Sequence, residues 1–144
     1  MFRFAAPNLT AGNGALLKHA SNVTGCARAI EAVFREAGYP EGLFHTLVAG
    51  SGEIEWAIGS DHVQAVTLTG SEKAGAAVAA AAGKAIKKSV LELGGSDPYL
   101  VFHDADLDHA ARTCAKSRLI NSGQSCIAAK RFLVEASAHD AFVE

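Results

Sequence analysis

Residues 63–82, VQAVTLTGSEKAGAAVAAAA, decide the fold class of this 144-residue chain. Hydrophobic and β-branched residues over 63–68 predict a short strand. Gly70 and Ser71 then mark a turn, and the alanine-rich stretch after them predicts a helix to Ala82, because alanine is the strongest helix former. A strand that turns tightly into a helix is the unit from which α/β proteins are built.

The same alternation of strand and helix extends in both directions from this segment. The pattern predicts strands over residues 15–18, 43–49, 89–93, 99–102 and 131–134, and helices over 22–37, 53–58 and 107–120, with a last helix starting near the end. The predicted apolar face of helix 22–37 consists of Ala27, Ile30, Val33, Phe34 and Ala37. Short connections between these elements predict a mostly parallel sheet with helices on both faces.

The composition excludes several classes of function. The chain is 49% hydrophobic and 19% charged, with a net charge of -2, which is typical of a globular domain. A near-neutral chain lacks the basic surface that nucleic acids and anionic membranes attract, and no run of 18 apolar residues predicts a membrane span. Cys26, Cys114 and Cys126 form no CxxC pair, so reduced thiols in a cytoplasmic protein are expected.

The acidic stretch HDADLD, residues 103–108, invites comparison with a calcium loop. An EF-hand counted from Asp104 requires glycine and glutamate where His109 and Ala115 stand. The six histidines contain no HxxxH pair. We therefore expect no metal site, and we interpret these carboxylates as charges that favour the start of a helix.

The turn at Gly70 and Ser71 has two interpretations. Free N–H groups and the helix dipole at such a corner bind anions. Ser71 is equally suited to be an ordinary N-cap, with Glu72 as a favourable charge in the first turn. The segment matches neither GxGxxG nor a phosphate-binding P-loop, so the two interpretations stay open at this point.

Three further positions have a chemical and a purely structural interpretation. Glu92 lies in the apolar strand of LELGGSDP, residues 91–98, where burial would suit a general base, although an ion pair or a solvent-facing side chain is an alternative. Cys126 ends NSGQSC, residues 121–126, as a nucleophile or as a small packed residue. Lys18 closes a strand at the edge where α/β proteins bind ligands, but solvated lysines are also common there.

Taken together, these motifs resemble the aldehyde dehydrogenase superfamily. LELGG is followed by GQSC, with 34 residues from Glu92 to Cys126, and AGNGALLKHAS, TLTGSEKAG and DADLDHA stand in the order expected. The resemblance extends from about residue 7 to residue 144. It implies an α/β fold with a parallel Rossmann-type sheet, a partial NAD(P)-binding domain over residues 1–95 and the beginning of a catalytic domain over residues 96–144.

The resemblance implies a role for both catalytic candidates. Cys126 would attack the aldehyde carbon to form a thiohemiacetal, which becomes a thioester after hydride transfer. Glu92 would activate the water that hydrolyses the thioester. A turn leading into a helical segment would favour the thiolate of Cys126, whose backbone N–H would supply an oxyanion donor.

The resemblance also implies the cofactor-binding residues. Lys18 would bind the adenine ribose, Gly70 and Ser71 would contact the pyrophosphate, and Leu93 would lie near the nicotinamide. Relatives restricted to NAD often carry a glutamate at the position of Ser21, which repels a 2′-phosphate. Serine there implies that NADP is used, alongside NAD.

Within the superfamily, the segments LLKHASNVTGCA, LELGGSDP and CIAAKRF most resemble the succinate-semialdehyde dehydrogenase branch. Three alternatives remain: a different aldehyde substrate, acyl transfer to coenzyme A, and a non-catalytic fragment that keeps the fold. Retention of Glu92 favours hydrolysis over transfer to coenzyme A. Arg131 is interpreted as structural rather than as a ligand of the substrate's distal carboxylate.

Members of this superfamily are homo-oligomeric and several times longer than this chain. The resemblance implies that a Pro-Trp-Asn segment, a Glu-x-Phe-Gly-Pro segment and the oligomerisation strands lie outside these residues. We therefore expect the 144-residue chain alone to have little or no dehydrogenase activity, because the loss of one oxyanion donor costs about 10²–10³ in rate.

Overall fold

The computed structural model describes all residues from 1 to 144, in which helices and strands alternate. The helices are α1 (Phe2–Thr10), α2 (Thr24–Glu36), α3 (Ile54–Gly59), α4 (Glu72–Lys84), α5 (Leu107–Leu119) and α6 (His139–Val143). The strands are β1 (Ala15–Leu17), β2 (Phe44–Thr46), β3 (Ala65–Thr69), β4 (Lys88–Glu92), β5 (Pro98–Val101) and β6 (Arg131–Val134). Short 3₁₀ segments cover Ser21–Val23, Ser51–Glu53 and Ile120–Gly123.

The strands pair two by two, as β1–β2, β3–β4 and β5–β6. The β1–β2 and β5–β6 pairs are parallel, with Ala15 opposite Phe44 and Pro98 opposite Arg131. The prediction of an α/β fold with parallel strands is therefore confirmed, although the strands form three pairs instead of one continuous sheet. The chain divides into two units, residues 1–67 with 77–90 and residues 68–76 with 91–144.

The first unit has its core between α1 and the β1–β2 pair. Four buried residues form this core, and partly buried hydrophobic residues pack against it: Ala5, Leu9, Ala15 and Phe44, with Met1, Phe4, Leu17, Ile30, Phe34 and Leu43 around them. The rings of Phe34 and Phe44 stack with their centroids 4.6 Å apart. Helix α2 therefore contributes Ile30 and Phe34 to the core.

The predicted apolar face of α2 is only partly correct. Ala27 is 1% exposed, but Val33 is 55% exposed, and Ala37 lies exposed beyond the end of the helix. Core contacts involve Ile30 and Phe34, so the prediction that Val33 belongs to the buried face was wrong. Val33 follows Ile30 by three residues, a spacing that fits the helical period. The buried face of α2 is narrower than this spacing indicated and does not include Val33.

Glu31 of α2 joins this helix to the end of β2. Its Oε2 accepts a hydrogen bond of 2.9 Å from the backbone N–H of Thr46, and its Oε1 lies 2.8 Å from Nδ1 of His45. The backbone N–H of Thr46 is the largest of the causes that lower the pKa of the Glu31 carboxyl. Folding is therefore coupled to ionisation of this side chain.

We expect the Glu31→Gln substitution to reduce the acid sensitivity of the first unit. A lowered folded-state pKa contributes stability that is present above the ordinary value of 4.5 and is lost as pH falls through the folded-state value. The melting temperature of the native chain should thus exceed that of the variant near neutral pH, and the difference should shrink below about pH 4. Glu36→Gln, an exposed glutamate of the same helix, is the control. A difference that stays constant with pH would contradict the coupling.

The second unit packs α5 against the parallel pair β5–β6. Buried residues here include Val101, Cys114, Ala128 and Ala129. The Tyr99 hydroxyl of β5 is hydrogen-bonded to Ser117 of α5. This contact, together with the buried residues, holds the C-terminal part of α5 beside the sheet.

The start of α5 confirms the interpretation of the acidic stretch before it. Asp106 is the N-cap, and its Oδ1 accepts a hydrogen bond of 3.0 Å from the backbone N–H of His109. Asp108 lies in the first turn, where negative charge is favourable. These carboxylates therefore act in helix formation.

Candidate active site

The Gly70–Ser71 corner connects β3 to α4 and contacts the end of β4. Ser71 Oγ accepts a hydrogen bond of 3.2 Å from the backbone N–H of Ala74, so its role as a helix cap is confirmed. The backbone N–H of Gly70 donates to the carbonyl of Glu92 over 3.0 Å. The corner is thus held directly beside the backbone of the candidate base. Gly70 and Ser71 are both exposed, which leaves the start of α4 accessible to an anion.

Leu93 lies against the first turns of α4. A Cβ placed on Gly75 would approach Cδ2 of Leu93 to 2.6 Å, so the leucine side chain occupies the space that a larger residue would need. Gly75 is buried and Leu93 is half-buried. The residue that follows the candidate base is therefore packed directly on the helix that begins at the candidate phosphate corner.

Glu92 is the last residue of β4, and its side chain is exposed. Of the interpretations weighed for this residue, the structure supports the solvent-facing side chain and not the buried one. Within β4 only Leu91 is partly covered, since the strand pairs with β3 alone and most of its side chains face solvent. The position suits a carboxylate that exchanges protons with water, which is one of the alternatives that the sequence left open.

Cys126 is exposed and lies in a turn in which the N–H of Ala128 donates to the carbonyl of Ser125 over 3.1 Å. No helix follows Cys126, because the chain continues through the buried residues Ala128 and Ala129 into β6. The expectation that the thiol leads a helical segment was wrong. The 3₁₀ segment Ile120–Gly123 precedes it instead, so no helix N-terminus lies at this thiol.

Backbone groups near the thiol are held by two neighbouring segments. Nζ of Lys130 donates to the carbonyl of Cys126 over 3.0 Å. On the other side, a Cβ placed on Gly95 would lie 3.3 Å from the same carbonyl oxygen. The second glycine of LELGG is thus in close approach to the turn that carries Cys126. The segments of the candidate base and the candidate nucleophile therefore meet within the second unit.

Arg131 has a structural contact, as interpreted from its sequence. Its Nε donates to the carbonyl of Ser96 over 2.9 Å, which ties the start of β6 to the segment that enters β5. Arg118 and Lys130, which contact the backbone around Cys126, were not identified from the sequence. Their targets are main-chain carbonyls, for which a sequence motif gives no signal.

Lys18 and Ser21 belong to the first unit. Lys18 is half-buried and follows β1 directly, while Ser21 is exposed and begins the 3₁₀ segment that leads into α2. Leu17, immediately before Lys18, accepts a hydrogen bond of 2.8 Å from the N–H of Leu47 just after β2. Lys18 and Ser21 therefore both follow the carboxyl end of the parallel strand β1, and in α/β folds ligands bind at this end of the strands.

A metal site, a disulfide bond and a membrane-spanning helix each require a particular arrangement of residues. No group of three or more His, Cys, Asp or Glu residues is arranged to hold a metal ion, and all three cysteines are free thiols. None of the helices combines the length and the apolar character that a membrane span requires.

The chain belongs to the aldehyde dehydrogenase family, whose model matches residues 1–144. It is 57% identical over 144 residues to a Synechocystis protein named as a probable NADP(+) succinate-semialdehyde dehydrogenase, covering 100% of this chain and 32% of the relative. A Mycobacterium tuberculosis protein, named as an NADP(+) succinate-semialdehyde dehydrogenase, is 55% identical over 142 residues, covering 99% and 31%. The chain therefore spans about a third of the length of these relatives.

The fold is also similar to that of a solved aldehyde dehydrogenase structure. The succinic semialdehyde dehydrogenase of Streptococcus pyogenes, crystallised with NADP+, superposes with a TM-score of 0.91. That structure shares 41% sequence identity, and the match covers 95% of this chain and 30% of the crystallised one. The α/β fold predicted from the resemblance is thus that of the aldehyde dehydrogenases.

Proposed function

We propose that the native protein carrying this sequence oxidises succinate semialdehyde to its carboxylic acid with NADP or NAD. The observation that most supports this proposal is that an exposed thiol, Cys126, and an exposed carboxylate, Glu92, belong to the same structural unit. Their two segments approach each other where Gly95 lies close to the carbonyl of Cys126. The division into a cofactor part, residues 1–95, and a catalytic part, residues 96–144, belongs to the same proposal.

Cys126 is proposed as the nucleophile. Its sulfur attacks the aldehyde carbon, and the carbonyl oxygen becomes the oxyanion of a thiohemiacetal. A backbone N–H of the turn, that of Cys126 itself, stabilises this oxyanion. Lys130 supports the step indirectly, because its hydrogen bond holds the Cys126 carbonyl and hence the peptide plane next to the thiol, and the lack of a side chain at Gly95 leaves room for that carbonyl.

Glu92 is proposed as the general base. When bound, NADP or NAD supplies the acceptor for the hydride that leaves the thiohemiacetal carbon. Glu92 then takes a proton from the water that attacks the thioester, and Cys126 is released as the acid product forms. The exposure of Glu92 gives it access to that water. Retention of this carboxylate favours hydrolysis over transfer of the acyl group to coenzyme A.

The residues of the cofactor site suit a dinucleotide. The exposed start of α4 beside Ser71 would offer backbone N–H groups to a pyrophosphate, whereas the N–H of Gly70 is taken by the carbonyl of Glu92. Lys18 stands at a strand end, where it would meet the adenine ribose. Leu93, packed against Gly75, would lie beside the nicotinamide. The NADP-named relatives from Synechocystis and Mycobacterium tuberculosis support NADP as one of the cofactors.

Ser21→Glu is expected to weaken NADP binding while NAD binding remains. A carboxylate beside the 2′-phosphate adds repulsion between like charges, which should raise the Kd for NADP by about tenfold or more. Titration calorimetry with both dinucleotides measures the change. Ser21→Ala, which removes the hydroxyl without adding charge, is the matched control. Equal NADP affinity in the glutamate variant would show that Ser21 does not set the preference.

The substrate assignment rests on the names of the relatives. It is tested by comparing kcat/KM for different aldehydes. The native protein is assayed with succinate semialdehyde, with its uncharged analogue butanal, and with other small aldehydes, each with NAD and with NADP. We expect the highest kcat/KM for succinate semialdehyde. Higher kcat/KM with an uncharged aldehyde would reject this substrate while leaving the aldehyde dehydrogenase chemistry in place.

A further inference from the structure

Arg118, near the end of α5, spans the turn that carries Cys126. Its Nη1 donates to the carbonyl of Ala129 over 2.7 Å, and its Nη2 donates to the carbonyl of Gly123 over 3.0 Å. These two carbonyls stand three residues before and three residues after Cys126. One side chain therefore fixes both ends of a seven-residue segment, 123–129, with the thiol at its centre.

The backbone before the thiol is shaped around this guanidinium. Gly123 has a φ of 75°, and a Cβ at this position would collide with Nη2 of Arg118. Asn121 and Ser122 also have positive φ values, 50° and 56°. Such conformations cost non-glycine residues about 1–2 kcal/mol each, so this turn depends on contacts that hold it.

A guanidinium has the geometry that this turn requires. Its planar fork offers two donors in fixed directions, whereas an ammonium group is a point charge on a flexible stem. Both hydrogen bonds of Arg118 are partly buried and donate from a charged group, which makes them stronger than exposed neutral ones. The N–H of Ala129 also donates to the carbonyl of Ser117 over 3.3 Å, so the far end of the turn has a second tie to α5.

We propose that Arg118 is a positioning residue that holds the Cys126 turn in its reactive conformation. This inference rests on the proposed function, in which the thiol of Cys126 attacks the aldehyde. Nucleophilic attack requires near-ideal placement, and a displacement of about 1 Å costs about 10²-fold in rate. Two of its five N–H donors are used by the two backbone carbonyls, so its recorded hydrogen bonds fix the turn.

The test compares Arg118→Ala, Arg118→Lys and the control Arg112→Ala in the native protein. Arg112 lies on the same helix and is exposed, with only a long 3.9 Å contact to Asp108. We expect Arg118→Ala to lower kcat about 10²-fold with an unchanged Kd for NADP. Arg118→Lys, which can satisfy one carbonyl at a time, should lose less, about tenfold. Arg112→Ala should retain the native kcat.

Added guanidinium ion gives a readout that a general loss of stability would not produce. In Arg118→Ala, guanidinium at millimolar concentration should restore part of kcat by occupying the vacated space between the Gly123 and Ala129 carbonyls, and it should not raise kcat in Arg112→Ala. If Arg118→Ala does not fold, Arg118→Lys alone decides: native kcat in that variant overturns the inference. A folded Arg118→Ala protein that keeps native kcat, or that guanidinium does not rescue, also overturns it.

The failure of this inference is distinguishable from failure of the proposed function. A Cys126→Ser protein that still oxidises aldehydes would reject the nucleophile itself, whatever the Arg118 variants do. An inactive Cys126→Ser protein combined with fully active Arg118 variants would reject only the positioning role.

Discussion

Replacement of Cys126 by serine in the native protein is expected to lower kcat for aldehyde oxidation by about 10⁴-fold or more. A hydroxyl is a much weaker nucleophile than a thiol at neutral pH unless a base activates it. The hydrogen-bond partners around this turn, Lys130 and Arg118, are both cationic donors that cannot act as that base. The rate of aldehyde-dependent NADPH formation measures the effect.

Cys26→Ser is the matched control for this experiment. Cys26 is an exposed thiol like Cys126, but it belongs to the first unit, within α2. Its replacement should leave kcat unchanged, and both variants should bind NADP with native affinity. Native turnover in the Cys126 variant, or equal losses in both variants, would reject Cys126 as the nucleophile.

Replacement of Glu92 by glutamine is expected to separate the two halves of the reaction. The acyl-enzyme on Cys126 would still form, so each active site should release one NADPH in a rapid burst. The following steady-state rate should be lower by about 10²–10⁴-fold, because the amide cannot accept a proton from the hydrolytic water. Rapid-mixing absorbance measures the burst, and intact mass spectrometry measures the acyl group retained on the protein.

Glu72→Gln provides the comparison for Glu92→Gln. Glu72 is also an exposed carboxylate of the second unit, in the first turn of α4, and it should be dispensable for turnover. A native steady-state rate in Glu92→Gln would contradict its role as the base. Loss of the burst itself would show that Glu92 acts before the thioester forms, and this would also contradict the assignment.

The sequence predicted the order of strands and helices from residue 15 onward, but it did not predict α1. The segment FRFAAPNLT contains Pro7 within the helix, which local propensity disfavours strongly. Burial of Ala5 and Leu9 in the core of the first unit outweighs that local cost. Tertiary packing of this kind leaves no local signature, so a propensity argument passes over it.

The candidate site was predictable in its residue types and only partly in its environment. Motifs and their spacing led to the prediction of Cys126 and Glu92 as catalytic residues, whereas the exposure of Glu92 depends on which strands cover β4. The absence of a helix after Cys126 follows from how soon β6 begins. The bonds of Arg118 depend on the path of a turn with three consecutive positive φ angles, and no spacing rule describes such a path.

The positions of the three thiols allow fluorescent dyes to be attached for a measurement of energy transfer. Cys26 is exposed in the first unit and Cys126 in the second, while Cys114 is buried inside α5. A donor and an acceptor dye can therefore be attached without introducing any cysteine into the chain. The two labels would report the separation of Cys26 and Cys126, and the label at Cys126 would also block the proposed nucleophile, so the labelled protein is expected not to oxidise aldehyde.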